Sequence, residues 1–180
     1  MLSDLNDILG GTFGGRVNMN LREDKHWSYG AGTAFQFARG DSAWVTRAPV
    51  QTDKTKESLV ELNKELRDMF GARPISQDEL NKDKDNRTLR LAGSRETMSE
   101  VGDAIENIVQ YRLPDDYYST YASKVRALTA NALTAAGKSF LNPDRLVWVV
   151  VGDLAKVEAG IRELNLGTVH VVDADGNSIR

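Results

Sequence analysis

The sequence contains no cysteine and only two histidines among its 180 residues. The absence of cysteine excludes disulfide bonds, thiolate nucleophiles, iron–sulfur clusters and zinc sites built on thiolates. The histidines, His26 and His170, lie in unrelated segments, and neither stands in an HxxEH motif or its reverse. A catalytic zinc site usually needs two or three imidazoles at helical or strand spacing. We therefore expect no metal site on this chain and assign neither histidine a role.

Long apolar runs and an excess of positive charge are also missing. The longest wholly apolar run, Leu146 to Val151, is far below the roughly 20 residues that a membrane-spanning helix requires. Lys and Arg number 23 against 26 Asp and Glu, which gives a net charge of −3. Nucleic acids and anionic membranes attract clustered Lys and Arg, so we expect neither as a partner. No signal peptide is visible at the N-terminus, and the composition is compatible with a bacterial periplasm or cytoplasm and with an organelle.

The composition is that of an ordinary folded domain. Hydrophobic residues make up 41% of the chain and charged residues 27%, without a low-complexity linker or an internal repeat. These values predict one domain over residues 1–180 with enough apolar residues for a real core.

Hydrophobic spacing predicts the elements of the first third of the chain. Apolar residues recur at helical spacing from Ser3 or Asp4 to about Glu23, which indicates one long helix. Four glycines interrupt this helix, and close approach to a neighbouring backbone is the simplest reason for them. Alternation over residues 27–38 and 42–50 predicts a β-hairpin that turns at Arg39-Gly40-Asp41.

The remainder alternates between helices and apolar strands. Helical spacing predicts a helix after Thr52 or Asp53 that ends at Gly71, and a second that begins at the capping box of Ser76. Further predicted elements are a helix around residues 101–109, a helix over 117–132 ended by Gly137, a strand over 146–151, a helix around 157–164 and a strand over 169–172. The β-branched run at 146–151 is typical of a central strand covered on both faces. The order indicates an α+β domain with one mixed or antiparallel sheet and helices packed on one face.

The N-terminal region holds the motif that points to a function. Residues 9–31 read LGGTFGGRVNMNLREDKHWSYGA, a glycine-rich helix that ends in Leu-Arg-Glu and is followed by a short loop and a strand that begins near Tyr29. This stretch closely resembles the second-half signature of the pitrilysin/insulinase family of zinc metallopeptidases. The step from Arg22 to Tyr29 matches the paired Arg and Tyr of that family. The order of later elements, including the strand and Gly-Asp at 149–153, is similar as well.

The resemblance implies a division of labour between two homologous halves that face each other across a closed chamber. The first half carries HxxEH and binds zinc, and the second half lends the Arg and the Tyr. This sequence resembles the second half only, which accounts for the missing HxxEH. The resemblance thus implies that Arg22 and Tyr29 are the catalytic contributors, that zinc is bound by the absent half, and that this chain alone is inactive.

The resemblance also implies the partners and the extent of the domain. We expect an HxxEH-bearing half, in the same chain or in a separate subunit, and a peptide substrate. The chain is expected to be a fragment of a longer protein that lacks the first strand or strands of its sheet. An exposed sheet edge would favour self-association of the fragment. Two alternatives stay open, a non-catalytic scaffold subunit of the same fold and an unrelated α+β binding domain.

Overall fold

A computed structural model describes residues 1–36 and 42–179. Two strands and a series of helices follow one another along the chain. The helices are α1 (Leu2–Asn6), α2 (Arg16–Asn18), α3 (Thr55–Met69), α4 (Gln77–Leu89), α5 (Met98–Tyr111), α6 (Tyr117–Arg126), α7 (Ala130–Phe140) and α8 (Leu154–Glu163), and the strands are β1 (Gly32–Gln36) and β2 (Ala43–Arg47). Wider π-type turns extend α1 over Asp7–Gly11 and α2 over Met19–Asp24. The α+β class predicted from the sequence is confirmed.

The predicted long N-terminal helix is two helical segments, because the helix is interrupted between Gly11 and Arg16. Thr12 and Gly15 both have extended backbone conformations. This interruption brings Gly15 against Gly10, where a Cβ on Gly15 would lie 2.6 Å from the Gly10 Cα. A Cβ on Gly32 of β1 would lie 2.9 Å from the Gly10 carbonyl oxygen. Gly10 and Gly15 thus serve close backbone approach as predicted, whereas a Cβ on Gly14 would meet nothing within 4 Å.

The predicted hairpin is present in shorter form. β1 and β2 pair antiparallel with Gly32 opposite Arg47 and Gln36 opposite Ala43. The predicted turn at residues 39–41 lies outside the described residues. An isolated bridge between Ser28 and Val50 extends the pairing beyond the two strands. Within the described ranges the sheet has these two strands and is antiparallel, so the mixed sheet is not found.

Local signals in the sequence correctly predicted the middle helices. The Ser76 hydroxyl accepts a hydrogen bond from the Glu79 N–H, and the Glu79 carboxylate accepts one from the Ser76 N–H, which forms the predicted capping box of α4. Thr97 and Glu100 form a second capping box at the start of α5. Helix α3 ends at Met69, two residues before Gly71, and presents Leu59 and Leu66 to the core.

The predicted helix over 117–132 is also two helices, and Gly137 does not end it. The Thr129 hydroxyl accepts a hydrogen bond from the Ala132 N–H and caps a new helix, α7. Gly137 lies inside α7, where a Cβ would stand 2.5 Å from Leu5 Cδ1 and 2.6 Å from Phe70 Cε1. This glycine therefore permits close packing of α7 against α1 and the end of α3.

The predicted central strand at residues 146–151 forms no ladder with the described residues. The segment is extended, and its exposure alternates: Val147, Val149 and Val151 are 88%, 82% and 94% exposed, whereas the residues between them are half-buried. The prediction of burial on both faces is wrong, because the face that carries the three valines is exposed. The prediction of a central strand is wrong as well, because no described strand pairs with the segment. The strand predicted at 169–172 is likewise reduced to one bridge, between Val172 and Ser178.

The core lies where α1, α2, α3, α4 and α7 meet. Its largest fully buried side chains are Leu5, Leu9, Leu21, Met69, Leu80 and Leu133. The hairpin packs on this core through half-buried Trp44, whose indole N–H donates to the Asn6 side-chain oxygen over 2.9 Å. Among the described helices, none combines the length and the apolar character needed to cross a membrane.

Candidate functional site

The structure brings Arg22 and Tyr29 together. Arg22 lies on the last turn of the segment that extends α2, and Tyr29 lies in the loop that leads into β1. The guanidinium carbon of Arg22 is 5.5 Å from the centroid of the Tyr29 ring. Tyr29 is 92% exposed, so its phenol is open to a partner or a ligand, whereas the Arg22 side chain is half-buried.

Phe13 contacts the same guanidinium group. Its ring centroid is 4.6 Å from the Arg22 guanidinium carbon, within the range of a cation–π contact. Phe13 is 65% exposed although it is a large apolar residue. Glu23 adds an ion pair at 3.5 Å to the Arg22 Nε. The three side chains Phe13, Arg22 and Tyr29 form one exposed cluster, which we call the Arg–aromatic cluster.

Backbone hydrogen bonds hold the loop between Arg22 and Tyr29 in place. The N–H groups of Trp27 and Ser28 both donate to the Leu21 carbonyl, over 2.9 and 3.2 Å. His26 has a positive φ of 57°, which allows the chain to turn, and its Nδ1 lies 3.0 Å from the Arg22 carbonyl oxygen. The Ser28 hydroxyl donates to the Pro49 carbonyl over 2.6 Å and ties the loop to the hairpin. The loop therefore sets the distance between the two functional candidates.

The Asn18 side chain links the backbone at Phe13 to the backbone that follows Tyr29. This side chain is buried, donates to the Phe13 carbonyl over 2.8 Å and accepts from the Ala31 N–H over 3.1 Å. One amide thus links the turn that carries Phe13 to the start of the strand that follows Tyr29. Both ends of the cluster are fixed relative to α2 by this side chain.

A buried arginine anchors the same segment to the rest of the domain. Arg16 forms a forked pair with Glu79 over 2.6 and 2.7 Å and donates to the carbonyls of Arg73 and Pro74. Burial by itself would raise the pKa of Glu79, but the hydrogen bonds from Arg16 and Ser76 outweigh it and lower that pKa to about 2. The ion pair of Arg16 and Glu79 thus connects α2 to the first turn of α4.

A second charged cluster lies where α1 meets α4. Arg87 pairs with three carboxylates: Asp4 at 3.2 Å, Asp7 at 2.7 Å and Asp83 at 3.2 Å. It also donates to the Tyr121 hydroxyl over 3.0 Å. Burial, reinforced by repulsion from Asp4 and opposed by Arg87, raises the pKa of Asp83 to about 7. This cluster joins α1 and its extension to α4 and α6.

The described residues contain no group of three or more His, Asp or Glu side chains arranged to hold a metal ion. His26 lies exposed beside Arg22, and His170 lies near the C-terminal end of the chain.

The N-terminal part of the chain is similar in sequence to a known protein family. Residues 1–87 match the family model described as the peptidase M16 inactive domain. The first 87 residues thus resemble an M16 inactive domain in sequence. This confirms the resemblance to the C-terminal domain of a pitrilysin-family protease that the sequence indicated. The matched region contains the entire Arg–aromatic cluster.

Solved structures share the fold at low sequence identity. The peptidase M16 inactive domain from Pseudomonas fluorescens is 23% identical, with a TM-score of 0.72 over 80% of this chain and 34% of that one. The periplasmic protease PqqL from Escherichia coli is 19% identical, with a TM-score of 0.65 over 78% of this chain and 15% of that one. A candidate zinc protease from Bordetella pertussis Tohama I is 18% identical, with a TM-score of 0.60 over 77% of this chain and 75% of that one. A comparison with curated proteins gives no significant match.

The chain spans about a third of the length of the Pseudomonas fluorescens protein. The M16 inactive domain that residues 1–87 match is related to a family of zinc proteases.

Sequence reasoning missed two members of the site, Phe13 and Asn18. Phe13 lies within the stretch that spacing predicts as one continuous helix, but the interruption at residues 12–15 turns it outward beside Arg22. Asn18 is an uncharged polar residue next to the buried Val17, and such a residue on a core-facing turn is a signal for a hydrogen-bonding role.

Proposed function

We propose that this chain is the second-half domain of a zinc metalloendopeptidase, which closes the catalytic chamber and supplies Arg22 and Tyr29 to the substrate. In this proposal residues 1–180 form one domain of a longer or multi-subunit enzyme. The observation that carries it is the juxtaposition of Arg22 with the exposed ring of Tyr29, in the segment that matches the M16 inactive domain.

The chemistry of peptide hydrolysis explains why these two side chains suit the role. Attack on a peptide bond develops negative charge on the scissile carbonyl oxygen, and hydrogen-bond donors aimed at that oxygen lower the barrier. The Tyr29 phenol is one such donor, and it reaches into solvent from the loop. The Arg22 guanidinium offers a planar fork of N–H groups for the same oxygen or for a neighbouring carbonyl of the substrate backbone.

The Arg–aromatic cluster supports the proposal through its preorganisation. Phe13 and Tyr29 both contact the Arg22 guanidinium, so the charged group is held at the surface without being neutralised by a buried carboxylate. A donor that is already oriented needs less reorganisation when charge develops on a substrate. The zinc ion and the general base belong, in this proposal, to a partner half that carries HxxEH.

Substitution in the complete enzyme tests the role of the pair. We expect Tyr29→Phe and Arg22→Ala each to reduce kcat/KM for a quenched-fluorescence peptide by about 10²-fold, because one oxyanion donor is typically worth about 3 kcal/mol. Arg22→Lys keeps the charge but loses the planar fork, so we expect partial activity only.

The chain offers a matched control for this experiment. The Arg95 guanidinium carbon lies 4.2 Å from the Tyr118 ring centroid, in a cation–π pair outside the matched segment. Arg95→Ala and Tyr118→Phe should leave kcat/KM unchanged. If Arg22→Ala and Tyr29→Phe retain the wild-type kcat/KM, as the two control variants should, the catalytic role is refuted and a scaffold subunit is favoured.

The subunits and the zinc content of the native protein test whether a partner half exists. Native protein captured with an antibody against this domain should contain an HxxEH segment, in the same chain or in a stoichiometric subunit, and about one zinc ion per complex. We expect the isolated residues 1–180 to show no peptidase activity. A native protein without zinc and without an HxxEH partner would contradict the peptidase assignment.

A further inference from the structure

Phe13 exposes most of its ring beside the two side chains assigned to the substrate. The ring is 65% exposed, and the Arg22 guanidinium carbon lies over it, 4.6 Å from the ring centroid. The guanidinium group therefore covers part of the ring, and the rest stays open to solvent. Tyr29 contacts the same guanidinium group, so the open part of the Phe13 ring belongs to the same exposed surface as the two proposed hydrogen-bond donors.

Hydrogen bonds hold the turn that carries Phe13. The Phe13 carbonyl accepts from the Asn18 side chain over 2.8 Å. The Gly15 N–H donates to the Thr12 carbonyl over 3.0 Å, and the Thr12 hydroxyl donates to the Asp7 carbonyl over 3.1 Å. The ring is thus presented from a fixed backbone, and a surface that is ordered in advance binds a ligand group at a lower cost in conformational entropy.

The distances limit which part of a peptide substrate can reach the ring. A carbonyl oxygen that accepts from an Arg22 N–H lies about 4 Å from the guanidinium carbon. Residues of an extended peptide are about 3.3 Å apart along the chain. The side chains within reach of Phe13 therefore belong to the two residues that flank the bound carbonyl. Because successive side chains of an extended peptide point to opposite faces, one of the two can pack on the ring and the other points away.

We propose that Phe13 is a specificity-determining residue, which selects peptides with an apolar side chain on one side of the scissile bond. This inference rests on the proposed function and adds a substrate preference to it. An apolar side chain removes its own surface and that of the Phe13 ring from water when the peptide binds. A polar side chain of the same size loses water against the ring without gaining a hydrogen bond from it.

Two other roles of Phe13 lead to different results. A ring that only holds Arg22 in place affects every peptide equally, because Arg22 binds the backbone of the substrate in the proposed site. A ring that packs on the partner half affects the assembly of the enzyme, and thus again every peptide equally. Selectivity between peptides is the readout that separates contact with the substrate from both roles.

Three peptides and the complete enzyme test the assignment. The first peptide has Leu on both sides of the scissile bond, and the other two each replace one Leu by Asn, which has nearly the same shape. Selectivity at each position is the ratio of kcat/KM for the Leu peptide to that for the Asn peptide, and mass spectrometry of the products confirms that the same bond is cleaved. We expect Phe13→Ala to lower selectivity about fivefold to tenfold at one position and to leave it unchanged at the other.

Further variants separate the apolar surface from the fold and from the rate. Phe13→Gln replaces the apolar surface by a polar group and should lower selectivity as Phe13→Ala does, which preserves the test if the alanine variant does not fold. Phe13→Leu keeps an apolar side chain and should keep most of the selectivity. Tyr29→Phe should lower kcat/KM for all three peptides by the same factor. Phe140→Ala removes a phenylalanine that is 40% exposed on α7 and should change neither rate nor selectivity.

The results distinguish failure of this inference from failure of the proposed function. If Tyr29→Phe lowers kcat/KM but the Phe13 variants leave selectivity unchanged at both positions, or lower it equally at both, the assignment to Phe13 is overturned and the proposed function stands. If Arg22→Ala and Tyr29→Phe leave kcat/KM unchanged, the proposed function fails and the inference fails with it. Unchanged far-ultraviolet circular dichroism shows that each variant remains folded.

Discussion

The guanidinium group of Arg22 packs on the ring of Phe13, with 4.6 Å between the guanidinium carbon and the ring centroid. This contact holds the arginine side chain over a turn that the glycine-rich sequence creates. It also explains why a large apolar residue is tolerated at the surface. Phe13 is thus a positioning residue for Arg22 in the Arg–aromatic cluster.

The contact between Phe13 and Arg22 should be measurable as a coupling energy. We expect a double-mutant cycle of Phe13→Leu and Arg22→Met, followed by urea unfolding, to give a coupling of about 0.5–1 kcal/mol. The equivalent cycle of Tyr118→Leu and Arg95→Met provides the reference for a cation–π pair outside the site. A coupling of zero at Phe13 and Arg22 would show that the packing does not hold the arginine.

Gly15 should resist substitution, whereas Gly14 should not. A Cβ on Gly15 would stand 2.6 Å from the Gly10 Cα, and neither backbone can move without shifting a helix. We expect Gly15→Ala to lower the free energy of unfolding by about 3 kcal/mol, as overpacking does in cores. A Cβ on Gly14 meets nothing within 4 Å, so Gly14→Ala should change stability by about 0.5 kcal/mol or less. Equal effects at both positions would argue against the close approach.

The pair of Arg16 and Glu79 should make the domain sensitive to acid. The Glu79 pKa is about 2 in the folded protein and 4.5 when unperturbed, so the folded state favours the ionised carboxylate. The stabilisation is complete above pH 4.5 and is lost as the pH falls toward 2. We expect the difference in unfolding free energy between wild type and Glu79→Gln to shrink by about 2 kcal/mol over this range, after allowance for solvent screening. A difference that is independent of pH would contradict this account.

Titration of Asp83 should change the stability of the domain in the opposite direction with pH. The pKa of Asp83 is raised from 3.8 to about 7, so the folded state favours the protonated carboxyl and stability falls as the pH rises through this interval. Asp83→Asn removes this titration. We expect the variant to gain about 1–2 kcal/mol relative to wild type between pH 4 and pH 8 in thermal or urea unfolding. Parallel profiles for the two proteins would show that Asp83 does not titrate in this range.

Local signals in the sequence predicted the parts of the fold that depend on neighbouring residues. The capping box at Ser76 and the apolar face of α3 needed no information from the rest of the chain. The break at residues 12–15 depends on contact between Gly10 and Gly15, which periodicity does not reveal because apolar residues keep helical spacing across it.

The extended segment 146–151 shows a second reason for a wrong prediction. Its β-branched composition correctly indicated an extended conformation, but a sheet also requires a neighbouring strand. Only part of the Arg–aromatic cluster could be predicted, because its other members depend on tertiary packing. The pair of Arg22 and Tyr29 followed from a motif, whereas Phe13 and Asn18 joined it through a turn and a buried hydrogen bond that depend on tertiary packing.

Helix α5 has no buried side chain, although it is well capped by Thr97 at one end and by Arg112 in a left-handed conformation at the other. Its order thus depends on interactions within the helix more than on the core. Because helices held in this way open locally at less than the global free energy of unfolding, we expect α5 to open as a separate cooperative unit while the rest of the domain stays folded.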